Sequence, residues 1–239
     1  MAESELRAGI EALLGRYGVD VDAAKPLVVL LDLLAGPEAP TSVHDPRAGL
    51  HVHLADSLAG LDVPDVRGAE VIADLGAGAG PPGLVLAAVL PRARAILVES
   101  VGRKCEFLRS AATQMGLANV EVVWGRAEEW HDGLGRCDVV CARALAALPV
   151  LCEYAAPLLR KGGALVAWKG AVDEEEAADT AAAAEHLGLA VEPVRAVFPF
   201  PGSERRTLHV VRKIAPTPPG FPRRAGIATK RPLSARKLR

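Results

Sequence analysis

The chain has 239 residues, 50% of them apolar and 24% charged, which excludes disorder along its whole length and allows one large domain with appendages. Only 4% are aromatic, so the core must be built from Ala, Val and Leu. Net charge is −1, yet Arg205–Arg239 holds 11 Lys and Arg and no acid, leaving 17 basic against 29 acidic residues upstream; such a basic end suits a polyanion partner or is a solvated tail.

The first residues, MAESELRAG, are acidic and lack an apolar signal segment. Apolar runs such as Pro26–Ala35 fall far short of the ~20 residues that span a bilayer. The sequence therefore predicts a soluble cytoplasmic protein with no membrane partner. Residues 1–66 read as a helical N-terminal extension. Leu6, Ile10, Leu13 and Leu14 recur at helical spacing, Pro26–Leu34 forms a second stretch, and Gly36-Pro37 with Pro40 interrupts the pattern. His51–Leu61 resumes it, with Val52, Ala55, Leu58 and Ala59 on one face.

From residue 67 to 214 short β-branched runs alternate with helical ones. Strands are predicted at Val71–Leu75, Ala95–Glu99, Val120–Trp124, Cys137–Ala142 and Ala164–Lys169, with helices at Gly83–Leu90, Arg103–Met115, Pro149–Leu159 and Asp173–Leu187. Val191–Val197 and Thr207–Val211 follow with a short Pro/Gly/Ser loop, which suits an antiparallel pair. The pattern predicts an α/β fold: a mostly parallel seven-stranded sheet with an antiparallel final strand, covered on both faces. Residues 215–239 form a basic C-terminal tail. Cys105, Cys137, Cys141 and Cys152 sit in apolar runs without zinc spacing, so they read as reduced structural thiols and no metal is expected.

Val71–Gly83, VIADLGAGAGPPG, is a strand, a glycine turn and a helix start. Gly76, Gly78 and Gly80 let the backbone approach a ligand, and Pro81-Pro82 suits a first helical turn whose N–H groups would face an anion. Gly78, Gly80 and Gly83 also satisfy the dinucleotide pattern GxGxxG. Asp74, however, makes the segment DxGxGxG. A carboxylate there repels a pyrophosphate and suits an ammonium, which favours S-adenosylmethionine over NAD; otherwise Asp74 caps the turn. Glu99, ending the next strand, suits the ribose hydroxyls of either cofactor.

Five ordered blocks carry a more specific signal: ADLGAGAGPPG, LVESVGRKCEFLR, GRAEEW, VVCARALAALPVL and VAWKG, joined by HLADSL at 53–58, ERRTLHVVRK at 204–213 and PTPPGFPRRAGIATKRPL at 216–233. Over about residues 50 to 232 the chain resembles the bacterial 16S ribosomal RNA guanine-N7 methyltransferases, the glucose-inhibited division protein B family. The resemblance implies a Rossmann-like class I methyltransferase fold, S-adenosylmethionine as cofactor, and a guanine of 16S ribosomal RNA, alone or in the 30S subunit, as substrate; a monomer is expected. It carries cofactor contacts to Gly76, Pro81, Ala127, Glu128 and Arg143, beside Gly78 and Glu99.

Guanine N7 has a lone pair and no proton, so methyl transfer needs alignment rather than a base, and no catalytic residue is assigned. Arg143 follows a buried strand and must find a ligand, a carbonyl or a carboxylate partner. Lys169, at a strand end, is an RNA contact or a solvated lysine. Arg205, Arg206, Arg223, Arg224, Lys230 and Arg231 are candidates for phosphate neutralisation. Trp124, Trp130 and Trp168 could stack bases but, near strand ends, read first as core, and the histidines as ordinary. A small-molecule methyltransferase, an NAD-dependent oxidoreductase and a non-enzymatic ribosome-assembly binder are the rival functions.

Overall fold

A computed structural model describes residues 3–238. The N-terminal extension is helical: α1 (Glu3–Arg16), α2 (Ala24–Ala35), α3 (Pro46–Gly49), a π-helical stretch Leu50–Ala55, α4 (Asp56–Leu58), a 3-10 turn Ala59–Asp62 and α5 (Pro64–Arg67). Alternation then follows as the sequence predicts: β1 (Val71–Leu75), α6 (Gly83–Val89), β2 (Arg94–Glu99), α7 (Gly102–Gln114), β3 (Val120–Trp124), β4 (Cys137–Arg143), α8 (Leu148–Ala155), β5 (Leu159–Lys169) and α9 (Glu174–His186). Three strands close the sheet, β6 (Leu189–Val191), β7 (Arg195–Ala196) and β8 (Thr207–Lys213), before the short α10 (Ile227–Lys230) and α11 (Ala235–Leu238).

The sheet has eight strands in the order β3-β2-β1-β4-β5-β8-β6, with β7 also on β8. β1 to β5 are parallel, and β8 runs antiparallel to β5, β6 and β7. The predicted count of seven is corrected by the split of Val191–Val197 into β6 and β7. Pro193 has no N–H for the ladder. Val191 opposes Val211 while Arg195 opposes Leu208, so one extra residue bulges out between them.

Side chains alternate between two cores. Ile72, Leu97, Val139, Cys141, Val166 and Val210 pack under α1, α2, α6 and α7. Ala73, Leu75, Val98, Val140, Leu165 and Val211 pack under α8, α9 and the tail. This period of two, apolar on both faces, is what a covered parallel sheet requires. β3 is half-exposed because it is an edge strand. α7 buries Cys105, Leu108, Ala111 and Ala112, and Gly116 ends it with φ +70°.

Two sequence expectations are corrected. The stretch 51–61 does not present one apolar face: His53 to Leu61 are all buried, His53, Asp56 and Ser57 included. It is wedged against the sheet, and a Cβ on Gly60 would lie 2.4 Å from Trp168 Cζ2. The tail is packed, with Ala228 and Leu233 buried and Phe221 and Leu238 against the same core. No helix among the described residues is long and apolar enough to cross a membrane.

Candidate functional site

The glycine turn folds back on β2: Gly76 and Ala77 both donate to the Val98 carbonyl, at 2.8 and 3.2 Å. Gly76, Gly78 and Gly80 have φ of 66°, 56° and 110°, which a side chain would strain. Asp74 takes the turn-capping role. It is buried, and its Oδ2 accepts from Gly83 N at 2.9 Å. This bond engages Oδ2 and not Oδ1. Leu84 N donates to Gly80 O, so these first helical N–H groups are used within the turn and not offered to an anion. Burial pushes the Asp74 carboxyl up to about 7, against the opposing pull of Gly83 N–H and Arg143.

Glu99 is buried at the end of β2. Its Oε2 accepts from Gly78 N at 3.0 Å and its Oε1 from Val101 N at 2.9 Å. The carboxylate is thus fixed against the glycine turn, and each oxygen keeps acceptor capacity for a hydroxyl. Ala127 and Glu128 lie on a 3-10 turn after β3. Glu128 is buried, with Oε1 accepting from Gly226 N at 2.8 Å.

These segments meet at the carboxyl edge of the sheet, where open α/β folds bind ligands. A cleft of about 90 Å³ there is lined by Gly76, Ser100, Ala127, Glu128, Leu145 and Tyr154, among others. Leu145 crosses Gly76 closely enough that a Cβ on the glycine would lie 2.6 Å from Leu145 Cδ1. Leu145 follows Ala144, which holds a left-handed φ of 54°. A larger groove of about 550 Å³ lies elsewhere, between the end of α9 and α11.

The cleft fits an adenosyl cofactor. Glu99 is an acid of the kind that accepts ribose hydroxyls, Gly76 adds no side chain beneath the Leu145 that crosses it, and the β3 turn presents backbone edges. Tyr154 and Leu145 were not singled out from the sequence. The signal for Tyr154 is its rarity, one of 2 tyrosines; Leu145 stands two residues after the strand-ending Arg143.

Arg143 takes the structural partners that its buried position demands. Nη1 donates to Val52 O at 2.7 Å and to Asp56 Oδ2 at 3.0 Å, and Nη2 donates to Pro81 O at 3.1 Å. The guanidinium so fastens the N-terminal extension to the glycine turn. Asp56 also pairs with Arg206, Nε to Oδ1 at 3.5 Å. Asp56 carried no role in the sequence reading because these partners are remote along the chain.

The RNA candidates divide. Arg205, Arg224, Lys230 and Arg231 are exposed. Arg223 grips the buried Glu153 through Nε at 2.8 Å and a second nitrogen, and Lys169 pairs with Glu176 at 2.9 Å. Arg223, Arg206 and Lys169 are therefore committed to protein carboxylates. Trp168 is core, Trp130 is half-buried, and Trp124 is corrected to a surface residue, 68% exposed. Among the described residues no three His, Cys, Asp or Glu side chains cluster to hold a metal.

Comparison with known proteins agrees with this geometry. The family model for rRNA small subunit methyltransferase G (GidB) matches residues 37–199. Ribosomal RNA small subunit methyltransferase G of Rubrobacter xylanophilus is 41% identical over 89% of this chain and 86% of its own length. The protein of the same description from Deinococcus radiodurans is 44% identical over 76% of this chain and 73% of its own. Among solved structures, the Methanococcus jannaschii fibrillarin pre-rRNA processing protein superposes with a TM-score of 0.54 at 20% identity, over 67% of this chain and 74% of that one. The antibiotic-resistance methyltransferase Kmr gives 0.53 at 18% identity, over 66% and 94%. Those two likenesses establish the class I methyltransferase fold. With a family model over most of its length and relatives near two-fifths identical, the chain belongs to the rRNA small subunit methyltransferase G family.

Proposed function

We propose that this protein transfers a methyl group from S-adenosylmethionine to N7 of a guanine in 16S ribosomal RNA. The observation that carries the reading is Glu99, held by Gly78 N–H beside a cleft at the carboxyl edge of a sheet whose family acts on small-subunit ribosomal RNA. Gly76, Gly78, Pro81, Glu99, Ala127, Glu128 and Arg143 are the residues that would hold the cofactor. Glu99 suits the ribose, Ala127 and Glu128 the adenine, and Gly76 the close approach of the backbone. Arg143 acts by holding Pro81 and Asp56 together, which fixes the glycine turn.

Bound S-adenosylmethionine supplies a methyl already activated on a sulfonium. The chain's own task is to hold the purine in line and exclude water, since N7 has no proton to remove. This is the chemistry of a cytoplasmic monomer that needs no metal. Labelled cofactor incubated with 30S subunits and with deproteinised 16S RNA tests it. Label in guanine, mapped to N7, is expected; no transfer to either substrate overturns the reading.

A further inference from the structure

An aromatic and basic surface is joined to Arg143 through Val52 and Asp56. The His51 and Phe200 rings stack at 5.5 Å between centroids and 3° between planes. Phe198, two residues before, is 59% exposed, a rare state for a phenylalanine in a chain with so few aromatics. The loop that carries both is rigidly built. Val197 N donates to Arg206 O, Ser203 N to Phe200 O, and Arg206 N to Ser203 O. From α1, Arg16 donates to the carbonyls of Phe198 and Pro199 at 3.0 and 3.1 Å.

Both rims of this surface connect directly to the site. His51 precedes Val52, whose carbonyl receives Arg143; Arg206, closing the loop, pairs with Asp56, the other partner of Arg143. Arg205 is exposed on the loop beside the exposed Glu204, and Arg47 lies on α3, its side chain 69% exposed and 3.9 Å from Glu5. Flat rings beside exposed guanidinium groups suit a polyanion whose repeating unit is itself a flat ring, which is single-stranded RNA.

We infer that His51, Phe198 and Phe200 form a stacking platform for an unpaired base flanking the target guanine, with Arg205 on the adjoining phosphate. This rests on the RNA reading above and names the surface by which substrate is seized. The test is fluorescence anisotropy with labelled 12-residue oligoadenylate and oligouridylate. His51→Ala/Phe198→Ala is expected to weaken oligoadenylate binding about 10-fold, and oligouridylate less, as stacking strength dictates. Arg205→Ala is expected to lower the slope of log affinity against log salt by about 0.7. S-adenosylmethionine affinity by calorimetry stays unchanged in both, which separates lost stacking from lost folding. Phe198→Ala alone, at an exposed position, serves if the double variant unfolds. Affinities within twofold of wild type, or no oligonucleotide binding by the wild type, overturn the platform. If the wild type binds through these rings yet transfers no methyl to 30S subunits or to deproteinised 16S RNA, the platform stands and the methylation reading fails.

Discussion

Asp74 ties the stability of the glycine turn to pH. Its carboxyl is pushed from an ordinary 3.8 to about 7, so the folded chain holds a proton there after the unfolded chain has released it. The contribution of this group is complete below 3.8 and is lost as pH rises through about 7. Asp74→Asn keeps an acceptor for Gly83 N–H without the buried charge. The variant should therefore gain stability relative to wild type as pH rises from 3.8 to about 7, read as urea midpoints, and parallel pH profiles would refute the assignment. The thiols make a second residue-scale prediction. Burial pushes Cys137 and Cys152 up to about 12, and Cys105 and Cys141 are buried and raised too. A thiol reagent should leave all four unlabelled in the native protein and modify them only on unfolding. At this scale, Glu99 was legible because a strand-ending acid after a glycine turn has one geometric use. Asp56 was not, because nothing local shows that a buried carboxylate will meet one arginine at the end of a strand and another in a distant loop.

Helix α6 meets the sheet through Gly83. A Cβ there would lie 2.2 Å from Leu97 Cδ2 and 2.7 Å from Asp74 Oδ2, both in packed surroundings. Gly83→Ala should cost about 1–3 kcal/mol of stability, measured by chemical denaturation, and should weaken cofactor binding by shifting the turn. Strands β1 to β5 were readable from sequence because each is a short apolar run between turn residues, and alternation with helices fixed their parallel sense. The break between β6 and β7 was signalled by Pro193 but masked by the apolar residues around it. The π-helical stretch at Leu50–Ala55 was not readable, since one inserted residue shifts the periodicity that the reading depends on.

The whole molecule depends on its last segment more than charge composition implied. Arg223 is the partner of Glu153, whose side chain is only 1% exposed. Arg223→Ala leaves that carboxylate buried and unpaired and should cost about 3 kcal/mol or more, read from the denaturation midpoint. Arg224→Ala, at an exposed position, should cost less than about 0.5 kcal/mol. The basic tail was visible in the sequence; its docking was not, because Glu153 lies 70 residues upstream within a helix that otherwise reads as apolar.

The strand order has a consequence for how the protein is made. Among the described residues β6 pairs with no strand but β8, which comes later in the chain, and Gly226 completes the hydrogen bonding of Glu128 later still. During translation β6 therefore emerges from the exit tunnel with α9 to pack on but no strand to pair with, and the Glu128 wall of the cofactor cleft is completed only after the sheet. A ribosome-tethered nascent chain halted before β8 would be an incomplete sheet, and it would lack the Gly226 N–H that Glu128 accepts.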